Sequence, residues 1–194
     1  SLDMHPDGKD GERRICRLRA LRSLSWRSRL WASFLAGTIL LGGDVPTSRH
    51  YPLFLDISGQ RCLVVGGGRV GERKVAALIE AGALVEVVSP KITDALSEWA
   101  ESGTVDWHGR PFETEDVTGA LLVFGATDDT DVNGAVASAA KQAGVLYNDA
   151  IERDRCDFLV PSTVRRGGLA LAASTGGGSP AYARLVRERL EETF

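Results

Sequence analysis

A glycine-rich loop lies between a short apolar strand pattern and an amphipathic helix pattern, and this unit constrains the fold most. Residues 61–65 (RCLVV) are typical of a buried strand, residues 66–71 read GGGRVG, and residues 72–81 follow a helical period closed by a glycine. In a G-x-G-x-x-G loop the first glycine permits a tight turn, the second lets a pyrophosphate approach the backbone, and the third lets the helix pack closely on the strand. A glycine turn without a ligand is the alternative, and the strand–loop–helix context disfavours it. The residues expected to contact a dinucleotide here are Gly66, Gly68, Arg69, Val70 and Gly71.

Strand and helix patterns alternate through the next part of the chain. Further strands are predicted at residues 85–88, 105–107, 121–125 and 145–148, with helices at 92–102 and 131–143. Parallel strands need crossover connections, which helices usually supply. The sequence therefore predicts an α/β fold: a Rossmann-like, doubly wound, mostly parallel sheet over residues 51–150.

The pattern changes after residue 150. Two strands are predicted at residues 158–164 and 169–173 around a turn at 165–168 (RRGG), followed by a helix at 181–192. This segment is too short to form an independent domain. We expect residues 151–194 to extend the sheet or to pair with a second copy of the chain.

The first fifty residues differ in composition from the rest. They carry nine Lys or Arg against five Asp or Glu, whereas the remainder holds 14 basic and 21 acidic residues. Arginines precede the apolar run at 30–43 (LWASFLAGTILLGG), an order that resembles a secretory signal, but the run is too short for a membrane span. Three interpretations of this segment are open: an export signal, a partner-binding arm, or sequence upstream of the true start. We favour the third, with initiation at Val45.

Composition excludes several classes of function. The acidic body argues against nucleic-acid binding, which depends on clustered positive charge. Three cysteines and three histidines are scattered along the chain without a paired motif, so neither a metal centre nor a disulfide framework is expected.

The end of the second predicted strand bears on the choice of dinucleotide. NAD-binding domains normally place an acidic residue there to bind the ribose, but this chain continues with Ser89, Pro90 and Lys91. Ser89 and Pro90 are still the residues expected to contact the cofactor. Lys91 is either a partner for a 2′-phosphate or a solvated loop charge.

Five motifs, taken in order, resemble the precorrin-2 dehydrogenase/sirohydrochlorin ferrochelatase family, the N-terminal module of sirohaem synthases. They are YPLFL at 51–55, VVGGGRVGERK at 64–74, ATDD at 126–129 with Asn133, CDF at 156–158 with Pro161, and STGGGSP at 174–180. The resemblance implies NAD-dependent oxidation of the tetrapyrrole precorrin-2 to sirohydrochlorin in sirohaem synthesis. It also implies a cytoplasmic homodimer, and some members additionally insert Fe²⁺.

The remaining site residues are expected in two loops. Thr127 follows the fourth strand at the edge where α/β proteins bind ligands, so it is expected to contact the nucleotide. The glycine-rich loop before the last helix offers backbone N–H groups for substrate carboxylates, with Ser179 as helix cap and Pro180 at the first helical position. Its expected substrate-binding residues are Ser174, Thr175, Gly176, Gly177 and Ser179.

Dehydrogenation also needs a base that takes a proton as the hydride leaves. The family places an aspartate three residues after its asparagine, but three residues after Asn148 this chain has Ile151. Asp149 and Glu152 are the nearest acids, and impaired activity is a third alternative. We choose Asp149.

Two further hypotheses remain open. A nucleotide-sensing regulatory module explains the first glycine loop but not the motifs at 156–158 and 174–180. A non-catalytic remnant that still dimerises would explain Ile151 and the end of the chain at Phe194, where family members usually continue into a helical domain that covers the tetrapyrrole.

Overall fold

The computed structural model describes residues 50–194, so the predictions made for residues 1–49 lie outside the described part. Five parallel strands form one sheet in the order β3–β2–β1–β4–β5, and β6 and β7 form a separate antiparallel pair. The strands are β1 Arg61–Val65, β2 Leu84–Val88, β3 Val105–His108, β4 Leu122–Gly125, β5 Leu146–Asp149, β6 Ser162–Arg166 and β7 Leu169–Ala173. The helices are α1 Arg69–Glu80, α2 Asp94–Glu101, α3 Thr130–Ala143 and α4 Pro180–Thr193, with 3₁₀ turns at Thr114–Val117 and Arg153–Arg155.

Both faces of the parallel sheet are covered, which confirms the predicted doubly wound fold. On one face Val64 of β1 lies in a buried cluster with residues of α1 and α2. On the other face its neighbour Leu63 lies in a second cluster with residues of α3. Successive strand residues point to opposite faces, so a strand covered on both sides reads as a continuous apolar run.

The hairpin of β6 and β7 corrects one sequence prediction. Arg165 and Arg166 were expected in the turn, but they are the last two residues of β6 and pair with Ala170 and Leu169. Of the two turn residues Gly167 and Gly168, only Gly167 has a positive φ, +56°, a conformation that glycine adopts without steric cost. The tight turn therefore begins after the arginines.

Two helix starts also differ from the prediction. Helix α1 begins at Arg69 rather than at residue 72, so Gly71 lies in its first turn. Helix α3 is capped by Asp129, whose carboxylate accepts hydrogen bonds from the N–H groups of Asp131 (2.9 Å) and Val132 (3.1 Å). The helix therefore begins at Thr130, one residue before the predicted start, and its capping side chain precedes the first helical residue.

The cap predicted for the last helix is confirmed. Ser179 is the N-cap of α4, its hydroxyl accepts from Tyr182 N–H at 3.2 Å, and Pro180 occupies the first helical position. Within residues 50–194, no helix has both the length and the apolar character needed to cross a bilayer.

Candidate active site

The glycine loop after β1 is packed so closely that three of its glycines are required by sterics. A Cβ on Gly67 would collide with Lys91 O. Gly66 has φ +118°, and a Cβ there would lie 2.5 Å from Ala126 O. A Cβ on Gly71 would collide with Gly66 O. Loop, β4 and α1 can therefore approach one another only because these positions lack side chains.

Gly68 differs from its neighbours because it faces open space. Nothing lies within 4 Å of the position that its Cβ would occupy. Gly68 is also the N-cap of α1 and supplies no side-chain hydrogen bond to the first turn. The first N–H groups of a helix have no partner within the helix, and they favour anions. The residues present thus fit a dinucleotide diphosphate.

The loop after β2 closes one side of this cradle. Thr93 N–H donates to Gly67 O at 3.0 Å, so the two loops are joined through the backbone. Ser89 is buried, and its hydroxyl donates to Lys91 O at 2.7 Å. Because that hydroxyl is already used, Ser89 shapes the loop, and its expected contact with the cofactor stays a prediction, as does that of Pro90.

Thr127 lies beside the cradle, as expected for a residue that follows β4. Its hydroxyl lies 2.8 Å from Asn133 Oδ1, and Asn133 Nδ2 donates to Thr127 O at 3.1 Å. Asn133 is fully buried in α3. These two hydrogen bonds hold the loop after β4 in place. A contact from Thr127 to the nucleotide stays a prediction.

The next loop along the same sheet edge contains Asp149. Ala150 N–H donates to Gly125 O at 2.9 Å, which places the end of β5 directly beside the end of β4. The cradle, the Thr127 loop and the β5 turn therefore adjoin one another at the carboxyl edge of the sheet, where such folds bind ligands.

The carboxylate of Asp149 is enclosed. Its side chain has no exposed surface. Oδ1 accepts from Ile151 N–H (2.8 Å) and Glu152 N–H (2.9 Å), and Oδ2 accepts from the Tyr147 hydroxyl (3.0 Å). Burial raises the pKa of Tyr147, and the hydrogen bond to Asp149 raises that pKa further. These contacts make Asp149 a residue that stabilises the turn at the end of β5.

Ile151 and Glu152 lie on the exposed side of this turn. Ile151 is 50% exposed at the position where the resemblance places an aspartate. Glu152 is exposed, and its N–H is held by Asp149. Of the acids weighed from the sequence, Glu152 is thus the one whose carboxylate faces solvent beside the cradle.

A cluster around Lys74 was also missed. Lys74 Nζ donates to Asn148 Oδ1 at 3.1 Å and lies 5.3 Å from the centre of the Phe124 ring. Asn148 Nδ2 donates in turn to Phe158 O at 2.9 Å. Burial lowers the pKa of Lys74. The cluster joins α1, β5 and the CDF motif at 156–158. That motif carried the family resemblance, but no chemical role was expected for it from the sequence.

Cys156 belongs to the same cluster. Its Sγ accepts from Asp149 N–H at 3.2 Å, and burial raises the pKa of its thiol. The thiol therefore helps to shape the β5 turn. Among residues 50–194, no three His, Cys, Asp or Glu side chains lie together in a way that could hold a metal ion.

The loop before α4 is more self-contained than the sequence suggested. Gly176 N–H donates to Ser174 Oγ at 3.1 Å, and Ser179 N–H donates to Thr175 Oγ1 at 3.0 Å. Gly178 N–H donates to Thr175 O at 3.1 Å. The expected open row of N–H donors is therefore largely used within the loop, and substrate binding by these residues stays a prediction.

Two family models match the chain. One, described as putative NAD(P)-binding, matches residues 53–162. The other, described as sirohaem biosynthesis protein central, matches residues 166–193. The first covers the parallel sheet and its cradle, so the chain is an NAD(P)-binding protein of the Rossmann-like class, as the glycine loop predicted.

Curated relatives and one solved structure narrow the class. The chain is 46% identical over 143 residues to the siroheme synthase of Nitrosococcus oceani and 43% identical over 142 residues to siroheme synthase 1 of Aeromonas salmonicida. These matches cover 74% and 73% of the chain but only 31% and 30% of the relatives, so the chain spans under a third of their length. The structure of SirC, precorrin-2 dehydrogenase, superposes with a TM-score of 0.67 at 30% identity, covering 75% of this chain and 71% of that one.

The chain belongs to the precorrin-2 dehydrogenase/sirohydrochlorin ferrochelatase family. The resemblance inferred from the five motifs is confirmed by these matches.

Proposed function

We propose that this protein oxidises precorrin-2 to sirohydrochlorin with NAD⁺. The observation that carries the proposal is the cradle at Gly68, which is open to a diphosphate, in a chain similar to a solved precorrin-2 dehydrogenase. When bound, NAD⁺ supplies the two-electron acceptor. The chain supplies the diphosphate cradle, the walls of the site and the group that takes the proton.

The reaction removes two electrons and two protons from the tetrapyrrole. One proton leaves with the electron pair as hydride to the nicotinamide, and the other must pass to a base. Sequence reasoning placed the base at Asp149, and the geometry favours Glu152 because its carboxylate is exposed whereas that of Asp149 has no exposed surface. Asp149 then positions Glu152 by accepting its backbone N–H.

Fe²⁺ insertion into sirohydrochlorin is a second step open to the same site. It would need a carboxylate that removes pyrrole protons and guides the metal, and Glu152 is again the exposed acid beside the cradle. Iron would act here as a substrate. Dehydrogenation is the primary proposal because the cradle serves it directly.

We also propose that the protein is a homodimer in the cytoplasm. Strands β6 and β7 form a sheet of only two strands, which is marginal in water unless it packs against something more. Helix α4 contacts this hairpin, yet Leu169, Tyr182 and Leu185 remain exposed. A second copy of the chain would bury these apolar side chains.

Turnover by the full-length protein tests the proposal. Purified protein is mixed with enzymatically prepared precorrin-2 and NAD⁺, and the absorbance of sirohydrochlorin is followed while calorimetry measures NAD⁺ binding. We expect both binding and turnover. Binding without turnover would contradict the dehydrogenase and favour the nucleotide-sensing module.

A further inference from the structure

We propose that Arg153 binds a carboxylate of the tetrapyrrole and thereby positions the substrate at the turn after β5. This inference rests on the proposed function. Arg153 opens the 3₁₀ turn Arg153–Arg155, directly after Glu152. Nothing in the sequence singled it out.

The guanidinium of Arg153 lies against the glycine-rich loop before α4. A Cβ on Gly177 would collide with Nε and Cζ of Arg153, and Gly177 has φ +79°. The arginine can therefore lie across the loop only because residue 177 has no side chain. The β5 turn and the loop at 174–179 therefore lie next to each other at this side chain.

Within residues 50–194 the guanidinium of Arg153 makes no hydrogen bond or ion pair with the protein. The side chain is exposed to solvent. Its neighbour Arg155 is already engaged, since Nη1 donates to Thr130 O at 3.1 Å and lies 3.8 Å from Asp149 Oδ2. Arg153 thus keeps its planar fork of N–H donors available. That fork matches a carboxylate in a bidentate geometry.

The chemistry of the substrate supplies the partner. Precorrin-2 carries acetate and propionate side chains around its ring, and the loop at 174–179 uses the N–H groups of Gly176, Gly178 and Ser179 internally. Arg153 adds to this corner of the site a guanidinium that has no hydrogen-bond or ion-pair partner within residues 50–194. A carboxylate held there would place the ring next to Glu152, the adjacent residue in the chain.

Substitution of Arg153 in the full-length protein tests this role. The product sirohydrochlorin serves as the binding probe, and KM and kcat for precorrin-2 and the Kd for NAD⁺ are measured in parallel. For Arg153→Gln we expect the KM for precorrin-2 and the Kd for sirohydrochlorin to rise about tenfold or more, as for loss of a charge-assisted hydrogen bond. The Kd for NAD⁺ should stay unchanged, and added salt should shrink the difference from wild type.

Two further variants separate a specific contact from a general loss of charge. Arg153→Lys keeps the charge without the fork, so its Kd for sirohydrochlorin should lie between those of wild type and Arg153→Gln. Lys141→Gln removes one positive charge from the last turn of α3, at the opposite edge of the sheet, and should bind sirohydrochlorin like wild type. Thermal unfolding of every variant should match wild type because Arg153 holds no internal partner.

The outcomes distinguish this inference from the proposed function. If wild type turns over precorrin-2 and Arg153→Gln binds sirohydrochlorin equally well, the role of Arg153 is wrong while the dehydrogenase stands. If sirohydrochlorin binding depends on Arg153 but wild type shows no turnover, the receptor stands and the dehydrogenase is wrong. If wild type neither binds nor converts the tetrapyrrole, both are wrong.

Discussion

Gly66 and Gly68 belong to the same loop but differ in what a methyl group would meet. At Gly66 it would strike the backbone of Ala126, and at Gly68 it would enter open space. The first glycine is therefore required by the fold, and we expect the second to be required by the ligand. The sequence motif alone names both positions without separating these roles.

We predict that Gly68→Ala leaves folding intact and weakens NAD⁺ binding. Its φ of −82° suits alanine, while the added methyl group would occupy the space expected for the diphosphate. Calorimetry with NAD⁺ and thermal unfolding measure the two effects. Gly168→Ala is the matched control, since nothing lies within 4 Å of its Cβ position either and it lies in the β6–β7 turn.

Gly66→Ala should behave in the opposite way. Its φ of +118° and its contact with Ala126 predict a loss of stability of at least about 1 to 3 kcal/mol, the usual cost of such backbone strain. Denaturant unfolding measures this loss. Wild-type stability in Gly66→Ala, or wild-type NAD⁺ affinity in Gly68→Ala, would contradict the assignment of these two roles.

The two acids of the β5 turn also separate by accessibility. We predict that Glu152→Gln lowers kcat about 10² to 10⁴-fold, the usual contribution of a general base, without changing the free energy of unfolding. Asp149→Ala should instead cost about 1 to 3 kcal/mol of stability, because the N–H groups of Ile151 and Glu152 lose their acceptor.

Asp149→Asn distinguishes the base from the turn residue. Asn keeps an oxygen that can accept from the two N–H groups, so a turn residue should tolerate it with much of its activity. Rate measurements under single-turnover conditions check this. Complete loss of turnover in a folded Asp149→Asn protein with wild-type NAD⁺ affinity would restore Asp149 as the base.

At the scale of elements, Lys74 links α1 to β5. Burial lowers its pKa from the ordinary 10.5, so between the lowered pKa and 10.5 the unfolded chain binds more protons than the folded one. The free energy of unfolding therefore rises with pH across that window, and the cost of burying the ammonium is fully present below it. We predict that Lys74→Met removes this rise.

Urea unfolding of wild type and Lys74→Met at a series of alkaline pH values checks the prediction. Cys156 gives an opposite slope above 9.0, since burial raises the pKa of its thiol, but it is present in both proteins and largely cancels in the difference. Lys141→Met is the control because Lys141 is exposed in α3. If the free energy of unfolding depended on pH equally in wild type and Lys74→Met, the proposed effect of burying Lys74 would be wrong.

How far the sequence predicted the structure also depends on the element. Strand β1 and strand β7 have the predicted bounds because their apolar runs are bordered by glycine or polar residues. Helix α1 begins earlier than predicted, since its first turn carries a glycine that reads as loop. The enclosure of Asp149 and the reach of Arg153 could not be predicted, because each depends on contacts between segments that fold together only in three dimensions.

At the scale of the whole molecule, the exposed apolar side chains on and beside the β6–β7 hairpin predict self-association. We expect the full-length protein to sediment as a dimer. Leu185→Glu should shift it to a monomer, because a charge would replace a half-exposed apolar side chain of α4. Leu84→Glu is the control, since Leu84 is equally apolar and 63% exposed but lies at the start of β2. A monomeric wild type would contradict this interpretation.

The proposed reaction passes electrons from precorrin-2 to a dinucleotide held at Gly68. One single-turnover experiment tests it most directly: full-length protein in excess over precorrin-2 is mixed with NAD⁺, and NADH and sirohydrochlorin are recorded together. We expect equal amounts of NADH and sirohydrochlorin with one shared time course, and a slower one in Gly68→Ala. Sirohydrochlorin formed without NADH, or NAD⁺ bound with neither product formed, would contradict it.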